Sequence, residues 1–329
     1  REPQFDWELD PKIESATNDF ERVILKARAA KDFFLLVGPP GTGKTSHALR
    51  GMVEAFHCEE KQLLLLSYTN RAVDEICKAL VGITPELDFI RIGNELSCEP
   101  AYRKYLIENV LDLCSTRREV QKRIQKCTVF VGTVATLSSK SEIFRLKTFD
   151  VAIIDEATQI LEPQLLGLLC HRTDAGKNAI GKFILIGDYK QLPAVVLQSD
   201  EQCEIYDNSL REAGLVNLKN SLFERLYKTV SSNAHACDML CKQGRMHPVI
   251  ASFPNKAFYG GRLKSVGLPH QQQSSIPTLA SSGQDVFEER LLHRVSFIPS
   301  VPESFICSPK VNHSEAIIVA HLAKAVYQQ

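Results

Sequence analysis

The residues with the clearest chemical purpose are Gly38-Pro39-Pro40-Gly41-Thr42-Gly43-Lys44-Thr45, which follow an apolar run and open a helical pattern. Glycines at 38, 41 and 43 let the backbone curl until its N–H groups and the N-terminus of the next helix face one anion. Lys44 would add a cation for the β- and γ-phosphates, and the Thr45 hydroxyl would hold Mg²⁺. The pattern predicts a loop for a nucleoside triphosphate, with ATP and Mg²⁺ as the expected pair.

A hydrolase working on that ligand needs further acids near the metal. The run Phe149-Asp150-Val151-Ala152-Ile153-Ile154 ends in Asp155-Glu156. A buried strand that delivers two carboxylates at its C-terminal end would set them beside the phosphate loop of a neighbouring strand. Asp155 would then bind Mg²⁺, and Glu156 would orient or deprotonate the attacking water. Another run leads into Gly187-Asp188-Tyr189-Lys190-Gln191-Leu192-Pro193, where the neutral amide of Gln191 could touch the γ-phosphate and respond to its loss.

These residues need a scaffold, and short apolar runs supply it: 33–37, 63–66, 129–131, 151–154 and 183–186. Each is unbroken rather than alternating, as in strands of a parallel sheet covered on both faces. Helical patterns over 46–56, 72–80 and 161–170 separate most of them, which gives an α/β, doubly wound layout around the phosphate loop. Residues 95–127 read as a helical insertion whose basic stretch, Arg117, Arg118, Lys122, Arg123 and Lys126, is either a nucleic-acid contact or a solvated face. Gln- and Ser-rich residues 268–285 read as a loop, 294–299 as a strand and 312–327 as a helix. The expected organisation is a first domain over 1–240 and the start of a second over 241–329.

The 39 basic and 39 acidic residues cancel, so binding to a polyanion must come from a local groove. Ten cysteines without a Cys-x-x-Cys pair argue for a reducing compartment and read as small buried apolar residues. Cys237, Cys241, His235 and His247 make a metal site conceivable, although zinc pairs are usually closer in sequence. No run approaches the roughly 18 apolar residues of a membrane span. A cytoplasmic or nuclear protein and a monomer are expected. The chain lacks an initial Met and reaches Gln329 within a helical pattern, so it reads as part of a longer protein.

The motifs at 38–45, Ser67-Tyr68-Thr69-Asn70-Arg71-Ala72-Val73-Asp74, Gly132-Thr133, Asp155-Glu156-Ala157-Thr158-Gln159 and 187–193 resemble the 5′-to-3′ branch of the superfamily 1 helicases. Ser221-Leu222-Phe223-Glu224-Arg225-Leu226 and Gln243-Gly244-Arg245-Met246-His247-Pro248 are similar to the same group, which includes the nonsense-mediated-decay helicase and the Okazaki-fragment helicase–nuclease. The resemblance makes the α/β layout a RecA-like P-loop fold and implies an ATP-dependent motor on single-stranded nucleic acid, and the form Ser67-Tyr68-Thr69 favours DNA over RNA. It implies that Ser67, Asn70 and Thr133 contact the strand and that Arg245 reaches the γ-phosphate. The alternative is a nucleotide-gated clamp that binds nucleic acid without unwinding it.

Three departures stand out. Glu21 occupies the position of a Gln that grips the adenine edge, and a carboxylate accepts hydrogen bonds but cannot donate them. Gly244 replaces a Tyr that could lie over the base. Phosphate and magnesium residues are kept, so selectivity for adenine should be weak. The family's later motifs, with their final arginine, have no counterpart here, and residues 1–329 alone should bind nucleotide better than they turn it over.

Overall fold

All five apolar runs become strands of one sheet in the computed structural model, which describes residues 3–83, 87–273, 293–300 and 311–327. The strands are β1 (Phe33–Val37), β2 (Leu63–Ser67), β3 (Phe89–Ile92), β4 (Val129–Thr133), β5 (Phe149–Ile154), β6 (Ile180–Gly187) and β7 (Cys237–Met239). Their order is β3-β4-β2-β5-β6-β1-β7, and every pairing is parallel. Leu63, Leu64, Leu65 and Leu66 are wholly buried, because helices cover a parallel sheet on both faces. The helices Asp19–Ala29, Arg50–Cys58 and Asn70–Val81 pack against β1 and β2.

The register brings the chemistry to one edge. Val37 pairs with Gly187, Ile154 with Leu185, Leu66 with Ile154, and Ser67 with Thr133. Gly38, Asp188, Asp155 and Tyr68 therefore all leave the sheet at its C-terminal edge, where α/β folds place their ligands. One expectation needs correction. The strand carrying the two acids, β5, does not neighbour β1, since β6 lies between them. Strand order is fixed by tertiary packing, and the apolar runs carry no information about it.

Two strands went unread because each holds a charge. Arg91 interrupts β3, yet its side chain is wholly buried and ion-paired with Asp74 on the helix Asn70–Val81. Asp238 in β7 accepts from Arg22 Nε at 2.9 Å and Lys26 Nζ at 2.7 Å, both on the helix Asp19–Ala29. Burial works to raise the Asp238 carboxyl, but those donors hold it below the usual range.

The Lys182 ammonium of β6 donates to the carbonyls of Ala27, Arg28 and Ala30 at 2.9, 3.0 and 2.7 Å, closing the C-terminus of the helix Asp19–Ala29. Lys182→Met strands these acceptors, and the urea midpoint should fall by an amount equivalent to about 1–3 kcal/mol.

The insertion forms four short helical segments, Glu95–Ser97, Pro100–Tyr105, Ile107–Leu111 and Arg117–Lys126. Contacts divide the chain into two units, Arg1–Cys241 and Lys242–Gln329. In the second, β8 (Lys242–Gln243) pairs with β9 (Lys264–Ser265), and helices run over Pro248–Phe258 and His313–Tyr327. The strand expected over 294–299 does not form in the described residues: Val295 and Phe297 alternate apolar with polar but stay exposed, without a partner strand. Pro269–Gln272 is a short helical turn rather than loop, and 274–285 lie outside the described residues.

Among the nine described cysteines Cys58 and Cys170 are exposed, against the expectation of uniform burial. Among the described residues no group of three or more His, Cys, Asp or Glu side chains is arranged to hold a metal, and no helix is long and apolar enough to cross a membrane.

Candidate nucleotide site

The loop after β1 is built by its glycines. Gly41 and Gly43 have φ of 74° and 77°, which side chains rarely tolerate. A Cβ on Gly38 would lie 2.8 Å from Lys44 Cβ, so the loop closes over its lysine only without one. Pro39 and Pro40 carry the turn, and buried Thr42 pins it by donating from Oγ1 to Pro39 O at 2.7 Å. The helix expected from residue 46 begins earlier, as a wide turn over Lys44–Leu49 in which the Ala48 N–H reaches Gly43 O at 3.1 Å. It continues as Arg50–Cys58.

Lys44 and Thr45 meet the two acids. Lys44 Nζ lies 2.6 Å from Glu156 Oε1, and Thr45 Oγ1 donates to Asp155 Oδ2 at 2.6 Å. The intervening strand permits this, because Gly187 ends β6 with no side chain. Its carbonyl takes the Gly38 N–H at 2.8 Å, while a Cβ there would strike Thr158 at 2.8 Å.

Asp155 is 2% exposed, and burial pushes its carboxyl above the usual range against the opposing pull of Lys44 and the Thr45 hydroxyl. Glu156 sits in the left-handed region at φ 54°, strained for a residue with a Cβ. That turn lets its own N–H donate to Asp155 Oδ1 at 2.9 Å, and Gln159 Nε2 reaches its Oε2 at 3.3 Å.

Other predicted residues stand apart from this cluster. Gln191 is exposed and donates to Asp188 Oδ2 at 2.8 Å, held on its own loop. Glu21 Oε2 accepts from the N–H and hydroxyl of Thr17 at 2.8 and 2.7 Å, which lowers its carboxyl pKa. Next to it, Phe20 stacks on His47 with ring centroids 5.1 Å apart, an aromatic pair against Gly43 that the motifs did not disclose.

Two residues that the resemblance assigns to the strand are turned inward. Ser67 is fully buried and donates to Asp155 O at 3.1 Å; it supports the acid and offers no surface. Thr133 is 5% exposed and caps the helix Val134–Ser139, accepting from Thr136 N at 3.1 Å. Asn70 is half-buried in the first turn of its helix, after Thr69 accepts from Ala72 N at 3.2 Å. Beside it Tyr68 is 43% exposed on the rim of a cleft of 460 Å³ between the helices Val134–Ser139 and Glu162–Leu169.

Arg225, to which the motifs assign no role, grips buried Glu162 through Nε at 2.8 and 2.9 Å and Nη2 at 2.5 Å, clamping the helix Leu222–Val230 to Glu162–Leu169. In the second unit Gln243 is buried, and its Oε1 takes the N–H groups of Arg245 and Met246 at 3.0 and 2.7 Å. The Arg245 side chain is exposed. A Cβ on Gly244 would lie 3.1 Å from Leu268 Cδ1, so a side chain there would require Leu268 to shift.

A parallel sheet with a phosphate loop, a hydroxyl and two acids converging at its C-terminal edge defines a P-loop nucleoside triphosphatase core. A family profile described as an AAA domain matches residues 16–116 and 107–199, and a second AAA-domain profile matches 218–329. The chain belongs to this family, the AAA-domain core of the superfamily 1 helicases.

It is 31% identical over 277 residues to the DNA replication ATP-dependent helicase/nuclease DNA2 of Bos taurus, an alignment covering 80% of this chain and 24% of that protein. It is 35% identical over 274 residues to the helicase/nuclease JHS1 of Arabidopsis thaliana, covering 79% and 18%. With the DNA polymerase alpha-associated DNA helicase A of Saccharomyces cerevisiae it shares 23% over 370 residues, 94% of this chain and 51% of the other. The chain thus spans a quarter or less of the length of the Bos taurus and Arabidopsis thaliana helicase/nucleases.

Proposed function

We propose that the chain is the motor core of an ATP-dependent helicase or translocase on single-stranded nucleic acid, DNA rather than RNA, in the cytoplasm or nucleus. The convergence of Lys44, Thr45, Asp155 and Glu156 carries this reading. Residues 1–240 would form the first RecA-like domain and 241–329 the opening of a second.

The donor set suits Mg²⁺, since the Thr45 hydroxyl and Asp155 carboxylate are hard oxygens already 2.6 Å apart. When bound, the metal would neutralise charge on the phosphates. The backbone N–H groups after Gly38 would orient the triphosphate, and Lys44 would exchange Glu156 for its β- and γ-oxygens. Glu156 Oε1, released from Lys44 but still tethered through Gln159, would orient a water and accept its proton. Gln191 and Arg245 are assigned to the γ-phosphate by the resemblance. Asn70 is retained as a strand contact, with Ser67 and Thr133 supporting the edge from beneath.

With Oε2 engaged by Thr17, Glu21 can accept from the amino group of adenine, guanine or cytosine but can donate to none. Catalytic efficiencies for ATP, GTP and CTP, measured by phosphate release, should lie within about a thousandfold of one another, which is roughly 4 kcal/mol of discrimination.

The motor reading is tested by displacement of streptavidin from a biotinylated single strand by the full-length protein. ATP-driven displacement from one end is expected. Nucleotide-dependent binding with no displacement from either end would favour the clamp instead.

A further inference from the structure

We propose that the helix Arg117–Lys126 is a second contact surface for nucleic-acid phosphates, apart from the residues at the strand ends. The inference rests on the motor reading and deepens it. Arg118, Lys122 and Lys126 recur at intervals of four, which places them in one row about 12 Å long. Arg117 stands beside the row, and all four side chains are exposed. Among the described residues none of the four has a carboxylate within ion-pairing distance.

Two features of this row work against the helix itself. Like charges at i,i+4 repel and weaken a helix. Arg117 and Arg118 also occupy the first turn, where the positive end of the helix dipole disfavours cations. The nearest acid in sequence, Glu119, is committed to capping the helix and is not ion-paired with the row: its carboxylate accepts from the N–H groups of Ser115 and Thr116 at 2.7 and 3.3 Å. Nor does the row follow from overall composition, since 39 basic and 39 acidic residues balance.

The opposite face holds the helix in place. Arg123 pairs with both oxygens of Asp88 at 2.7 Å, Ile124 is buried, and Lys147 Nζ donates to Gln125 O at 3.0 Å. The cations are therefore fixed outward on an anchored helix. A polyanion relieves both unfavourable features at once. Phosphates of nucleic acid fit better than a lipid surface, because the helix has no exposed apolar side chain to enter a membrane interface.

The test uses the full-length protein and its Arg118→Gln/Lys122→Gln/Lys126→Gln variant, titrated onto a fluorescent oligo-dT strand from 50 to 300 mM KCl, a range of about sixfold in salt. The slope of log affinity against log salt should become shallower by about 2, that is three contacts at roughly 0.7 each. Nucleotide affinity and the thermal midpoint should not fall. A variant carrying Arg118→Lys alone should keep the parent slope.

An unchanged slope in the triple variant would overturn the inference while leaving the motor reading standing. A loss seen on vesicles of 30% phosphatidylserine, with strand binding intact, would assign the row to a membrane and overturn it equally. Failure of the parent protein to bind any strand would sink the motor reading first and this inference with it.

Discussion

Glu156→Gln should reduce strand-stimulated turnover by roughly 10²–10⁴-fold, the usual contribution of a positioned general base. Nucleotide should bind no more weakly than before, and by a few-fold more tightly. The reason lies in the pairing of Lys44 with Glu156 at 2.6 Å, an ion pair that an incoming triphosphate must break. With side chains 16% and 26% exposed, that pair is worth about 1 kcal/mol or less, so its removal eases binding only slightly. Catalysis and binding should therefore separate in one variant, which single-turnover phosphate release and titration with a fluorescent nucleotide would reveal. A parallel loss of both would mean that Glu156 only holds the loop in shape.

Asp74→Ala should produce the largest loss of stability, about 3–5 kcal/mol, by leaving a buried guanidinium without its counter-ion. Arg91 is wholly buried in an edge strand, its Nε has no partner, and Asp74 is its ion-pair acid. Chemical denaturation followed by circular dichroism should show a lower midpoint with an unchanged slope. Adding Arg91→Met should recover much of the loss, since an apolar side chain of similar volume removes the buried charge altogether. Equal damage in the single and double variants would show that Asp74 matters for some other reason.

The same pair marks the limit of what could be read in advance. Unbroken apolar runs announced β1, β2, β4, β5 and β6 because burial on both faces leaves no polar alternation. Arg91 in β3 and Asp238 in β7 broke that signal, and their partners lie 17 and 212 or more residues away in the chain. Pairing at such distances is invisible to periodicity. The phosphate loop and the two acids were legible because their spacing is dictated by the ligand's geometry.

Ser67 and Thr133 illustrate a related limit. A hydroxyl at the end of a strand can face a ligand or satisfy the backbone, and only the fold decides. Ser67 donates to Asp155 O and Thr133 caps a helix, so both act on the site through what they support. Val295 and Phe297 alternate as a strand would, but alternation calls for a neighbouring strand, and the described residues supply none.

The central claim is that the cluster of Lys44, Thr45, Asp155 and Glu156 serves a strand-coupled motor. Its most direct test is phosphate release from ATP by the full-length protein over a titration of single-stranded DNA at fixed Mg²⁺. The rate should climb with strand concentration to a plateau. A rate of hydrolysis indifferent to the strand would contradict the claim.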